Sequence, residues 1–166
     1  MKTVYTHLAK QNPSGRIYAE HAGRHKTTPQ YQSDCYLALY IAHGSGTLEA
    51  DETTIPLTEG DIFLFNPDIT YHILPIKGLR RIDVYLCYFD FDVIENSYLN
   101  FRTVFPDLEN FFNGDISYIR AVDTENKEIR DIFIQMIDEQ MSGNMGSYNI
   151  IYGCLYILIA KILRNT

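Results

Sequence analysis

Few residues in this chain have side chains suited to chemistry, and they are scattered. The candidates are five histidines (His7, His21, His25, His43 and His72), carboxylates such as Glu49, Asp61, Asp68 and Asp83, and three cysteines. A tight divalent-metal site needs three or four ligands on converging strands. His43 has no second histidine two residues away, Glu49 lies far along its strand, and His21 and His25 fall upstream in a polar stretch. The reading therefore expects no metal and no other cofactor. Cys35, Cys87 and Cys154 show no CxxC or Cys/His spacing, so neither a zinc site nor a disulfide framework is expected. GxSxG, Walker, GxGxxG and HExxH patterns are missing too, and no catalytic residue is assigned. Asp61 and Asp68 occupy turn positions, where carboxylates hydrogen-bond the local backbone. Asp83, inside an apolar run, is expected to pair with Arg80 or Arg81 or to point to water.

The elements that must position these groups are mostly strands. Gly60-Asp61 opens a short apolar run, Ile62–Phe65, that closes at Asn66-Pro67-Asp68. Before it lie Tyr36–Ala42, a Gly44-Ser45-Gly46 turn, Thr47–Ala50, an Asp51-Glu52 hairpin turn and Thr53–Leu57. After it come Tyr71–Leu74 and the long run Arg80–Phe91. Short strands with turn signals between them predict a small antiparallel barrel. Arg16–Glu20 is a candidate first strand, Gly23–Asp34 a loop or weak edge strand, and Met1–Gln11 an arm that is mobile or laid over the barrel. After Asp92 the character changes. Pro106 starts a short helix presenting Leu108, Phe111 and Phe112, and Asp115–Val122 reads as a connector. Asp123 or Thr124 can cap a helix whose apolar face is Ile129, Ile132, Phe133, Met136, Ile137 and Met141. The last helix, Tyr148–Arg164, carries two apolar rows: Ile151, Leu155, Leu158 and Ile162, and Tyr148, Tyr152, Ile159 and Leu163. A helix apolar on two sides needs two partners, and a second subunit is the expected partner of the first row.

Composition excludes several classes. A chain of 166 residues, 46% hydrophobic and 21% charged, fits one globular domain with a sizeable core. The net charge of −7 and the lack of a Lys/Arg stripe argue against direct nucleic-acid contact. The longest apolar run, Ile150–Ala160, stops at Lys161 and falls short of the ~20 residues that span a bilayer. Unpaired cysteines suit a reducing compartment, so a cytoplasmic protein is expected.

The stretch Gly60–His72 resembles the second motif of the cupins, a glycine, an Asn-Pro-Asp turn and a histidine in order. Counted from Gly60, Tyr71 takes the inward place, whereas counted from Pro67 His72 does; a one-residue slip exchanges the faces. A wider resemblance is carried by Tyr36–Ile41, His43-Gly44-Ser45-Gly46-Thr47-Leu48-Glu49, Ile55-Pro56-Leu57, Gly60–Asp68, Tyr88-Phe89 and the helical tail. Over roughly residues 16–164 the chain resembles the N-terminal ligand-sensing and dimerisation domain of AraC-type transcriptional regulators. The resemblance implies a mainly β fold with C-terminal helices: a cupin-like jelly-roll β-barrel followed by an antiparallel helix pair. It divides the chain into an N-terminal arm (1–15), a ligand-sensing barrel (16–92) and a helical region (93–166). It also implies a small-molecule effector, a sugar or other small metabolite, bound by His43, Tyr71 or His72, Val84 and Leu86. The arm, with His7, would close over that ligand. A homodimer would form through Ile151, Leu155, Leu158 and Ile162. DNA would be contacted only by a helix-turn-helix domain past Thr166, outside this sequence. The competing expectation is a stand-alone metal-dependent cupin enzyme of the isomerase or dioxygenase type, relying on His43 and His72.

Overall fold

The computed structural model describes residues 3–5, 17–24, 31–76, 81–90, 93, 100–124 and 128–166. The strands are β1 (Thr3–Tyr5), β2 (Ile17–Arg24), β3 (Tyr31–Ser33), β4 (Tyr36–His43), β5 (Gly46–Ala50), β6 (Thr53–Leu57), β7 (Asp61–Phe65), β8 (Thr70–Pro75), β9 (Ile82–Phe89) and β10 (Tyr118–Val122). They form two five-stranded sheets, ordered β1-β3-β8-β5-β6 and β10-β7-β4-β9-β2. The arrangement is a cupin-like jelly roll, mainly β with C-terminal helices, in which two sheets face each other without closing into one barrel. Among the described residues the helices are α1 (Phe101–Val104), α2 (Glu109–Phe112), α3 (Glu128–Ser142) and α4 (Ser147–Arg164), with a 3-10 turn at Pro106–Leu108.

Period-two alternation along the strands separates two hydrophobic layers. Leu37, Leu39 and Ile41 of β4 point between the sheets, where they meet Phe63, Phe65, Ile73, Val84 and Leu86. Tyr36, Ala38 and Tyr40 point the other way, to a layer shared with Phe89, Phe133, Leu155 and Leu158. The central strands are therefore apolar on both faces, which is why Tyr36–Ile41 and Ile62–Phe65 read as unbroken apolar runs.

Turn chemistry follows the sequence. Asp51 and Glu52 both have positive φ, 45° and 66°, the backbone that a two-residue hairpin requires. Gly60, at φ +93°, donates to the Ile41 carbonyl and accepts from the Asp123 amide; a Cβ there would sit 3.2 Å from the Asp123 carbonyl. Gly46 is needed for closeness instead, since a Cβ would fall 2.3 Å from the Leu74 carbonyl.

Several expectations need correction. Asp115–Val122, read as a connector, contains β10, which pairs antiparallel with β7 from Tyr118↔Phe65 to Val122↔Asp61. The strand framework thus continues past position 92. Five residues whose partner lies more than fifty positions earlier leave little local signal. Met141 is 80% exposed and drops off the α3 face, while Ile129, Ile132, Phe133 and Met136 are buried. The expected cap at Asp123 or Thr124 depends on residues 125–127, which lie outside the described residues. So do His7, His25, Arg80 and most of the arm; of that arm, Thr3–Tyr5 pairs in parallel with β3.

The row Ile151, Leu155, Leu158 and Ile162 is the largest correction. These residues are between 0 and 6% exposed and pack against α3 and the second sheet. The chain's own layer covers the row that was expected to face another subunit, and Ile159 of the second row joins it. The outer side of α4 instead carries Ile150 and Ile157, 40% and 49% exposed, flanked by the half-buried Gly153 and Ala160.

Candidate functional site

Asp61 shows how the Gly60–Asp68 stretch is built. Its carboxylate is fully buried and accepts from the Thr58 amide at 2.7 Å, and from Arg120 Nε and Nη2 at 3.0 and 2.8 Å. The turn role read from sequence holds, and a second role is added: the carboxylate anchors β10 through Arg120, which also lies 5.6 Å from the Phe63 ring centroid. Asn66 acts similarly, donating to the carbonyls of Phe111 and Ile116 at 2.7 and 2.6 Å and fastening α2 and its following turn to the end of β7. With these bonds the motif serves architecture.

The structure divides the candidate ligand residues into three places. Tyr71 is 2% exposed and stacks on Phe65 with ring centroids 5.6 Å apart, inside the inter-sheet layer. Val84 and Leu86 share that layer, both fully buried. His72, the next residue along β8, therefore faces outward, which answers the question of register: it pairs across the strand with Glu49, Nδ1 to carboxylate 3.3 Å. It borders a cleft of about 490 Å³ between β5, β6 and β8, whose rim carries Glu49, Asp51 and Glu52.

His43 lies elsewhere. In β4, Ile41 pairs with Val84 of β9, but His43 pairs with Asp83, so one extra residue, Ala42, is inserted between them. Such a bulge re-aims the side chain that follows it. Simple alternation would carry His43 inward beside Ile41; the bulge turns it to the outer face of the second sheet. There His43 Nδ1 meets Glu59 at 3.2 Å. No motif in the sequence marks this bulge; the Gly44 turn just beyond it is the only nearby signal.

A cleft of about 270 Å³ opens at this point between β2, β4, β9 and the start of α3. Its lining includes His21, His43, Glu59, Asp83, Tyr85 and Arg130. His21 stacks on Tyr85 at 4.5 Å and approaches Asp83 at 4.0 Å. Asp83 is bonded by Arg81, as one of the sequence alternatives anticipated. Just behind, Tyr40 donates to Asp123, and burial together with Asp123 pushes its phenol above the ordinary value. Arg130, from the first described turn of α3, has its Nε shut off from solvent with no acceptor among the described residues. His21 and Arg130 received no site role from sequence, because only the pairing of β2 with β9 and the seat of α3 bring them to His43.

Of the predicted ligand set, the structure thus places Tyr71, Val84 and Leu86 in one apolar layer and sends His43 and His72 to opposite outer faces. Among the described residues no group of three or more His, Cys, Asp or Glu side chains is placed to hold a metal ion. No helix of the described residues is long and apolar enough to cross a membrane. Burial raises all three thiols: Cys35 to about 12, with Cys87 and Cys154 also above their ordinary value.

Comparison with curated proteins gives no match. Among solved structures, apo ToxT K231A from Vibrio cholerae is similar with a TM-score of 0.57 at 12% identity, covering 90% of this chain and 56% of that one. Wild-type ToxT bound to an unsaturated fatty acid gives 0.52 at 15% identity, covering 88% and 52%. An RmlC-like cupin family protein from Methanocaldococcus jannaschii gives 0.41 at 19% identity, covering 49% and 77%. The chain spans about half the length of the ToxT chains it matches. Residues 12–147 match the family described as the AraC-like ligand binding domain, and the chain belongs to that family.

Proposed function

We propose that this chain is the effector-sensing and dimerisation part of an AraC-type transcriptional regulator acting in the cytoplasm. The family match over residues 12–147 carries the reading. The effector is a small molecule, a sugar or another small metabolite. The fatty acid held by ToxT adds an apolar acid to the compounds to try. DNA contact belongs to a helix-turn-helix domain outside the present sequence, in keeping with a net charge of −7 here.

The homodimer is assigned to the outer side of α4. Ile150, Gly153, Ile157 and Ala160 follow a three-four-three spacing, the repeat of a helix–helix seam. In an antiparallel pair centred near Leu155, each isoleucine meets a small residue, Ile150 against Ala160 and Ile157 against Gly153. A second copy of the helix fits such a face.

As a switch, the effector must favour one arrangement of helices and sheets over another, because equal affinity shifts nothing. The α3–α4 pair rests on the second sheet, so an effector that touches both would act on the dimer helices directly. The test is a thermal-shift screen with sugars, fatty acids and small polar metabolites. An effector at 100 times its Kd adds about 2.7 kcal/mol of stability. The expected result is a saturable rise with one chemical class. No rise with any of them would refute the sensor reading, and stoichiometric metal bound to His43 or His72 would favour the cupin-enzyme alternative.

A further inference from the structure

We propose that the cleft between β2, β4, β9 and α3 is the effector site, and that its ligand is a small amino- or hydroxy-carboxylic acid held by Arg130. The inference rests on the sensor reading and specifies where and what the chain senses. Among the described residues, the charged groups facing the cleft already have partners, with one exception. Glu59 is engaged by His43, and Asp83 by Arg81 and, more distantly, His21. Arg130 has no hydrogen bond or ion pair to any described residue, although it is half-buried and its Nε is fully shielded. The shielded Nε–H is an unmet donor, which costs free energy until an acceptor completes it. The planar fork of arginine matches the two oxygens of a carboxylate.

The rest of the lining narrows the class. Glu59 and Asp83 disfavour a dianion such as phosphate, since each added negative charge meets two carboxylates across a narrow cleft. A monoanion halves that repulsion. When ionised, the same two carboxylates only accept hydrogen bonds, so they select a ligand with donors at its other end, an ammonium or a hydroxyl. The stacked rings of His21 and Tyr85 supply a flat wall for the carbon skeleton. A volume of about 270 Å³ suits a metabolite of this size and is small for a long chain. The cleft joins β2 to α3, so an occupant bridges the sheet and the helix pair.

The experiment uses the whole chain. Calorimetry and thermal shift are run with the twenty standard L-amino acids, L-lactate, the corresponding amides and inorganic phosphate. At least one amino or hydroxy acid is expected to bind, its amide to fail, and Arg130→Gln to weaken binding at least about tenfold. Ligand-free Arg130→Gln should melt no lower than the wild type, because among the described residues the removed cation makes no hydrogen bond or ion pair. A clear loss of stability in that ligand-free variant overturns the proposal. So does binding that survives Arg130→Gln, binding of phosphate alone, or no binding by any acid of the panel. If a sugar or fatty acid stabilises wild type and Arg130→Gln equally, the sensor reading stands and this site falls. If nothing stabilises the wild type, both fall.

Discussion

The two hydrophobic layers of this molecule resemble each other in composition and differ in how they are tied. Between the sheets, Leu39, Ile41, Phe63, Val84 and Leu86 are fully buried, and the backbone ladders hold the walls in place. Between the second sheet and the helices the contact is just as apolar, but discrete polar bonds supplement it. Gln140 bonds the backbone of Ala19 twice, at 3.0 and 3.1 Å; Tyr40 donates to Asp123; Asn66 reaches Phe111 and Ile116. Both walls of the inter-sheet layer are five-stranded ladders, whereas the outer wall of the helix layer is a helix pair held by apolar contact and by side-chain bonds each worth only about 1 kcal/mol. The inter-sheet layer is thus a platform, and the helix layer is the one that can yield. The cleft at Arg130 lies along the yielding layer, where a small ligand has leverage.

Substitutions on α4 test this contrast most strongly. Leu158→Asp places an unpaired carboxylate in the helix layer and should cost on the order of 5 kcal/mol or more, read as loss of the cooperative melting transition. A variant that still melts near the wild-type temperature would show that the helices do not share the core.

The thiols give a second and smaller effect, because they sample both layers. Cys35 reports the inter-sheet layer, and Cys87 and Cys154 the helix layer. In mild denaturant, iodoacetamide should label Cys154 first and Cys35 last, read site by site by mass spectrometry; equal rates would abolish the distinction between layers. Alkali acts on the same groups with a definite sign. The unfolded chain ionises Cys35 from about pH 9, while the fold keeps it neutral up to about 12. The stabilisation is complete below pH 9 and is lost as pH rises toward 12. The denaturation midpoint should therefore fall across that window, by at most about 1.4 kcal/mol per pH unit for this group.

The smallest change in stability is expected one residue from the largest. Ile157→Asp faces solvent and should alter folding by no more than about 0.5 kcal/mol, yet convert dimers to monomers in light scattering. A dimer of unchanged mass would remove α4 from the proposed interface.

The legible part of the fold was the part with local signals. Turn pairs such as Asp51-Glu52 and Gly60-Asp61, and the unbroken apolar runs Tyr36–Ile41 and Ile62–Phe65, marked β4 to β9 closely. Two features escaped because their causes are long-range. The strand β10 is specified by a ladder to β7 and by Arg120 reaching Asp61, and five residues carry too little pattern alone. The two rows on α4 were both visible, but which one meets the core depends on where α3 and the second sheet lie. The site was harder still. One bulged residue, Ala42, decides whether His43 faces the interior or the cleft, and Arg130 arrives from the helical region, 87 positions from His43 in the numbering.

The Gln140 clamp carries a further consequence. The strand β2 is last in its sheet, and Ala19 would otherwise present an open amide and carbonyl, the template on which a foreign strand can grow. By offering one acceptor and one donor, the Gln140 amide imitates a neighbouring strand a single residue long. It occupies the edge at Ala19 without adding a ladder that could itself be extended. The contact that docks a helix thereby also serves as a guard against polymerisation, and a hydrophobic substitution at Gln140 should surface first as aggregation during refolding.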